Sequence, residues 1–93
     1  MNANADPLAA LRDRFLARTA GDLEIIEKSV AEVEYRSHET LKYSVHRLSG
    51  TAGMFGYSAI STLAAPIDDL LHEDAAPSVE QLRALAAALR AIL

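Results

Sequence analysis

The residues best suited to chemistry lie in one run, KYSVHRLSGTAGMFGYSAI, at positions 42 to 60. At its centre is His46. Free imidazole, with a pKa near 6.5, is largely neutral around pH 7 and offers a ring nitrogen as nucleophile. Around this histidine stand Gly50, Gly53 and Gly56, three of the four glycines in the chain. A glycine inside an exposed helix costs about 1 kcal/mol relative to alanine. An alanine-rich, helix-forming sequence that accepts this cost in one segment trades local stability for access, and broken local rules tend to mark functional sites. Lys42, four residues before His46, falls on the same helical face and can pair with an anion held there. The set suits an accessible nucleophile or a docking point for an anionic group. Residue types alone do not make that group a phosphate.

For His46 to be reachable, residues 38 to 55 must form a helix that turns it outward. On a wheel at about 100° per residue, Leu41, Val45, Leu48, Ala52 and Phe55 cluster within about 80°, which makes that arc the core side. Lys42, His46, Ser49, Gly50 and Gly53 span another arc of roughly 100° opposite or flanking it. Ser49 and Gly50, one turn beyond the histidine, are small, and Gly53 extends the clearing by another turn.

Helical spacing recurs in every other segment, and alternating strand patterns are missing. Asp6-Pro7 reads as an N-cap followed by proline at the first helical position. Leu8, Leu11 and Phe15 then share a face, RTAGDLE interrupts or bends the pattern around Gly21, and Leu23, Ile26, Val30 and Val33 resume it. Residues 7 to 35 are one bent helix or two; the pattern leaves this open. Ser37 is the expected cap of the His46 helix and Gly56 its end. Ser58 is the expected cap of the next helix, where Ile60, Leu63, Ala64, Ile67, Leu70 and Leu71 form the apolar face and Pro66 should bend the chain. HEDAAP reads as a loop. Ser78 with Gln81 has capping-box spacing, and Leu82, Leu85, Ala86, Leu89 and Ile92 line the inner face of the last helix. The expectation is an all-α, antiparallel up-down four-helix bundle with a short extra helix allowed at the amino end, formed by a single domain over residues 1–93.

Composition narrows the function classes. The 93 residues include no cysteine, which excludes disulfides and thiolate metal sites. Tryptophan is absent and aromatics are few, so the core must be aliphatic. A formal charge of −4 argues against a nucleic-acid partner, which calls for a basic patch. No apolar run approaches the roughly 20 residues of a membrane span, and the first residues lack the regions of a signal peptide. A cytoplasmic monomer is the expectation.

HRLSGTAGMFG resembles the motif of histidine-containing phosphotransfer (HPt) domains, commonly written H-x-L-K-G-[SA]-[SA]-x-x-x-G. His46 occupies the phospho-acceptor position, Leu48 the buried leucine and Gly50 the docking glycine. Thr51 and Ala52 stand at the small pair, and Gly56 at the helix-ending glycine. The continuation YSAISTLAAPIDDLL looks like the family's next helix. The motif resemblance covers residues 42 to 71; elsewhere only length and helix pattern agree. It implies a phosphoryl carrier that relays the group through His46 between a histidine kinase, a response-regulator receiver aspartate, or both. It also implies no cofactor and no metal in this chain, the Mg²⁺ belonging to the receiver. One position departs: the family's lysine three residues after the histidine, which helps neutralise the phosphoryl group, is Ser49 here. Lys42 or Arg47 could take its place. The departure also supports a rival reading, a non-transferring adaptor that binds and inhibits a receiver or kinase. An enzyme using His46 as a general base lacks any partner motif.

The other polar residues draw plainer expectations. His38 near a helix start and His72 near a helix end read as structural or incidental, a histidine cation being favoured at a C-terminus by the dipole. His38 and His46 lie about 12 Å apart along a helix, too far to share a metal. Asp68 and Asp69 read as a solvated face, although one of them could orient the His46 ring through its other nitrogen. Tyr43 and Tyr57 read as packing residues at a bundle edge. Leu16 and other apolar residues of the amino-terminal segment are candidates for a docking patch.

Overall fold

The first helix starts where the sequence supplies a cap. Asp6 accepts a hydrogen bond from the Leu8 N–H at 2.9 Å and Pro7 takes the first helical position. In the computed structural model, which describes residues 6–93, α1 then runs unbroken over Pro7–Ala31. Residues 1–5, part of the expected 1–93 domain, lie outside the described residues. The question of one helix or two is therefore answered as one, with no separate short helix ahead of it among the described residues. Gly21 does not break the helix: it is exposed, and a Cβ built on it would meet nothing within 4 Å. Two polar residues of RTAGDLE, Thr19 and Asp22, face inward, while Arg18 and Glu24 stay exposed. Thr19 and Ser29 are fully buried and donate to the carbonyls of Phe15 at 2.7 Å and Ile26 at 2.6 Å. Asp22, also buried, meets Arg47 of the next helix.

A short 3₁₀ segment, Val33–Ser37, turns the chain back. Arg36 holds this turn by donating to the carbonyls of Ser29 and Val30 at 2.8 and 2.9 Å, which satisfies part of the open end of α1. Helix α2, Glu39–Thr51, is capped by His38, whose Nδ1 accepts from the Thr40 N–H at 3.1 Å. The expected cap, Ser37, instead donates to the Glu34 carbonyl at 3.3 Å. The chain tightens into a 3₁₀ turn over Ala52–Phe55 and stops at Gly56, whose φ of 87° is open to glycine at little cost.

Helix α3, Ser58–His72, starts after Tyr57 with no side-chain cap, so Ser58 is its first residue and not its N-cap. Pro66 sits inside α3, exposed, and the helix continues through it to His72. Asp74, at φ 58°, takes the left-handed position, and the Ala75 N–H returns to the Leu70 carbonyl at 2.8 Å. Helix α4, Val79–Ile92, begins with the expected capping box, both Ser78–Gln81 bonds being formed.

The four helices close a ring in which α1 packs on α2 and α4, and α3 on α2 and α4, an all-α up-down bundle. Its core is aliphatic as expected, with Ile26, Leu41, Val45, Leu48, Ile67, Leu82, Leu85 and Leu89 fully buried. Phe15 closes one end, stacked on Phe55 and Tyr57 at centroid distances of 5.0 and 5.7 Å. Leu8, Leu11 and Val33 were expected on the inner stripes but stand exposed, because α1 begins before the bundle does and Val33 lies in the turn. Leu16 is half-buried against the core. No helix of the described residues is long and apolar enough to cross a membrane.

Candidate functional site

The stripe Leu41, Val45, Leu48 and Ala52 is completely buried, and this fixes the rotation of α2. His46 lies on the other side and its side chain keeps 65% of its surface exposed. The ring is nevertheless held. Its Nδ1 lies 3.1 and 3.2 Å from the two carboxylate oxygens of Asp68 on α3, a side chain only 14% exposed. A carboxylate can only accept, so the pairing requires the tautomer with the proton on Nδ1. Nε2 then carries the free lone pair. Asp69, one residue on, is exposed and makes no such contact.

Asp68 is shared. His72, one turn further along α3, places its Nδ1 3.1 Å from Asp68 Oδ1 and 2.9 Å from the Asp68 carbonyl. Its ring centroid lies 5.2 Å from that of His46. Ser49 Oγ lies 2.8 Å from the His46 carbonyl and 3.3 Å from Asp68 Oδ2, so Ser49 ties the carboxylate to α2. One turn deeper, Ser61 of α3 donates to the Ser49 carbonyl at 2.7 Å, a second tie between the same two helices.

Beside the ring the surface is bare. Gly50 is exposed, and a Cβ there would meet nothing within 4 Å. Gly53 is exposed as well, and its Cβ would reach only the Ser61 side chain at 3.9 Å, an ordinary contact. Neither glycine is required by backbone conformation or by close packing within the chain. Lys42 is half-buried one turn before His46 and lines a shallow cleft with Glu39 and Asp74.

Arg47 corrects an expectation. Its guanidinium is largely buried and paired with Asp22 of α1, so it does not stand beside the imidazole as a replacement for the missing lysine. Burial, with the nearby Arg18 charge adding to it, lowers the Arg47 guanidinium from its ordinary pKa. Of the residues singled out in the sequence, His46, Ser49, Gly50 and Gly53 share one face; Lys42 borders it and Arg47 leaves it. His38 is engaged elsewhere, capping α2 with its ring stacked on Tyr35 at 4.4 Å. His72, expected to be structural or incidental near a helix end, stands at the end of α3 and shares Asp68 with His46. Its place four residues after Asp68, one helical turn, was the available signal.

The Hpt domain model matches residues 10–92, nearly the whole chain. The chain belongs to the Hpt domain family, the histidine phosphotransfer domains of phosphorelays, whose members are phosphocarriers rather than catalysts. Domains of this family interact with the kinases and receiver domains of two-component systems. No curated protein and no solved structure matches the chain.

Proposed function

We propose that His46 is the phospho-acceptor and that its Nε2 takes the phosphoryl group from a receiver aspartyl phosphate or a kinase phosphohistidine. The supporting observation is a largely exposed imidazole whose Nδ1 is engaged by Asp68, next to a glycine that nothing inside the chain requires. The Nε2 lone pair forms the new N–P bond as the bond from phosphorus to the donor breaks, and the electron pair leaves with the donor's carboxylate or imidazole. The ring becomes a phosphoimidazolium that keeps its Nδ1 proton against Asp68, which balances the charge. The return step reverses these bonds. Gly50 and Gly53 give the partner's pocket room to reach the ring, and the Mg²⁺ and acidic pocket come with a receiver. A cytoplasmic setting and a monomeric carrier complete the proposal.

The test is incubation with a phosphorylated receiver domain, or with a kinase and ATP, followed by measurement of acid-labile phosphate. Wild type takes up phosphate and His46→Gln does not; uptake by the glutamine variant would refute the assignment. Ser49 at the lysine position keeps one rival in view, an adaptor that binds without transfer. The adaptor reading requires binding that survives His46→Ala together with no uptake by wild type.

A further inference from the structure

One arrangement at this site has a use that phosphotransfer does not require. Asp68 addresses two imidazoles at once through a single oxygen: Oδ1 lies 3.2 Å from His46 Nδ1 and 3.1 Å from His72 Nδ1. The three ligand atoms all lie within 4.8 Å of one another. A tetrahedral cation with bonds of about 2.0–2.1 Å sets neighbouring ligand atoms about 3.3 Å apart. Both nitrogen-to-oxygen edges already have nearly that length, and only the nitrogen-to-nitrogen edge must shorten. The two rings are 65% and 51% exposed, which gives them freedom to turn and leaves a fourth position open to water.

Asp68 and His72 sit one turn apart on α3, and His46 faces them from α2, so two packed helices supply all three groups. Ser49 Oγ, 3.3 Å from Asp68 Oδ2, supports the carboxylate from outside the ligand set. Two imidazole nitrogens and one carboxylate oxygen suit zinc, copper or nickel. Magnesium prefers an octahedral shell of oxygens and retains its water.

We propose that His46, Asp68 and His72 form a binding site for a divalent transition cation, and that filling it silences His46. This departs from the expectation of a chain without a metal site. The silencing follows from tautomer chemistry. A metal on Nδ1 uses the lone pair of that nitrogen, so the ring proton must move to Nε2 through solvent. Nε2 is then an N–H group with no lone pair to attack phosphorus. His72 undergoes the same proton shift, and Asp68 exchanges two hydrogen bonds for one metal bond.

The silencing half rests on His46 being the phospho-acceptor; the binding half does not. Zn²⁺ is therefore titrated into the full chain and followed by calorimetry and by nitrogen NMR of the histidine rings, with Mg²⁺ as the comparison cation. The proposal expects one Zn²⁺ per chain, shifts at the His46 and His72 ring nitrogens but not at His38, and no response to Mg²⁺. His72→Ala and Asp68→Asn should each weaken Zn²⁺ binding at least about tenfold, the scale expected when a metal loses a supporting group. Affinity unchanged in both variants, or shifts centred on His38, would overturn the site. Phosphoryl uptake from phosphoramidate, a small donor that needs no receiver and no Mg²⁺, is then compared with Zn²⁺ and with EDTA. Wild type should lose most uptake in Zn²⁺, and His72→Ala should show a much smaller ratio between the two conditions. No uptake by wild type in EDTA would defeat the phospho-acceptor assignment and leave the binding result standing. Equal uptake in Zn²⁺ and EDTA by a zinc-loaded chain would overturn the silencing.

Discussion

Asp68→Asn is the substitution that most directly probes how the His46 ring is prepared. The change keeps the shape of the side chain and removes its charge. When Nε2 takes up a phosphoryl group, the ring gains a positive charge about 4 Å from the centre of the carboxylate. At that separation the attraction is about 1 kcal/mol in water and about 4 kcal/mol at an effective dielectric constant of 20. The ring is mostly exposed and the carboxylate mostly covered, 65% against 14%, so an intermediate value of about 2 kcal/mol applies. That corresponds to roughly thirtyfold in rate. Asparagine also brings an N–H₂ donor, which can face Nδ1 and favour the tautomer with Nε2 protonated; this lowers the rate further. A small phosphoramidate donor suits the assay because it reports the chemistry of the ring without a docked partner. Thermal unfolding followed by circular dichroism checks that the bundle is intact. Asp69→Asn is the control, being exposed and without contact to the ring, and should stay within about twofold of wild type. Wild-type uptake by Asp68→Asn, or an equal loss in Asp69→Asn, would refute the orienting role.

Gly50→Ala should leave the fold intact and add up to about 1 kcal/mol of stability, since its Cβ meets open space. Gly50→Arg should block transfer from a receiver while uptake from phosphoramidate persists, and unimpaired receiver transfer would sink the docking argument. Gly56→Ala, placed at φ 87°, should lower stability by about 1–2 kcal/mol, read as a drop of several degrees in melting temperature. Arg47→Ala leaves Asp22 buried without its partner and should cost about 3 kcal/mol in denaturant unfolding, with the Asp22→Ala, Arg47→Ala double variant regaining much of the loss. A cost below about 1 kcal/mol would show that the pair is solvated.

Much of this was legible because periodicity reports local geometry. The stripe from Leu41 to Phe55 fixed which way α2 must turn, and with it the outward direction of His46. The Ser78–Gln81 box fixed the start of α4. What escaped depends on pairs brought together across the bundle. Arg47 and Asp22 are 25 positions apart, and only the packing of α2 on α1 makes their charges meet, so RTAGDLE read as a break. Asp68 could not be told from Asp69 because the choice turns on the angle of α3 against α2. His38 escaped as a cap because histidine is not among the usual N-cap residues. The exposure of Leu8 and Leu11 follows from where the bundle begins along α1, which helical spacing does not encode.

Charge placement shows how the proposed transfer would divide labour between the two proteins. Behind the ring stands a fixed negative charge, Asp68, tied to α2 by Ser49 and shared with His72. In front of the ring the chain offers glycines and a free Nε2. The cation nearest in sequence, Arg47, is committed to Asp22, and Lys42 shares its cleft with Glu39 and Asp74. The chain as a whole carries a net charge of −4. Asp68 therefore suits the cationic ring formed on phosphorylation better than it suits the phosphoryl oxygens themselves. Neutralising those oxygens falls chiefly to the partner, through its bound Mg²⁺ or its own cations. Such a division favours a group that moves while two proteins are in contact over one stored for long on the free carrier.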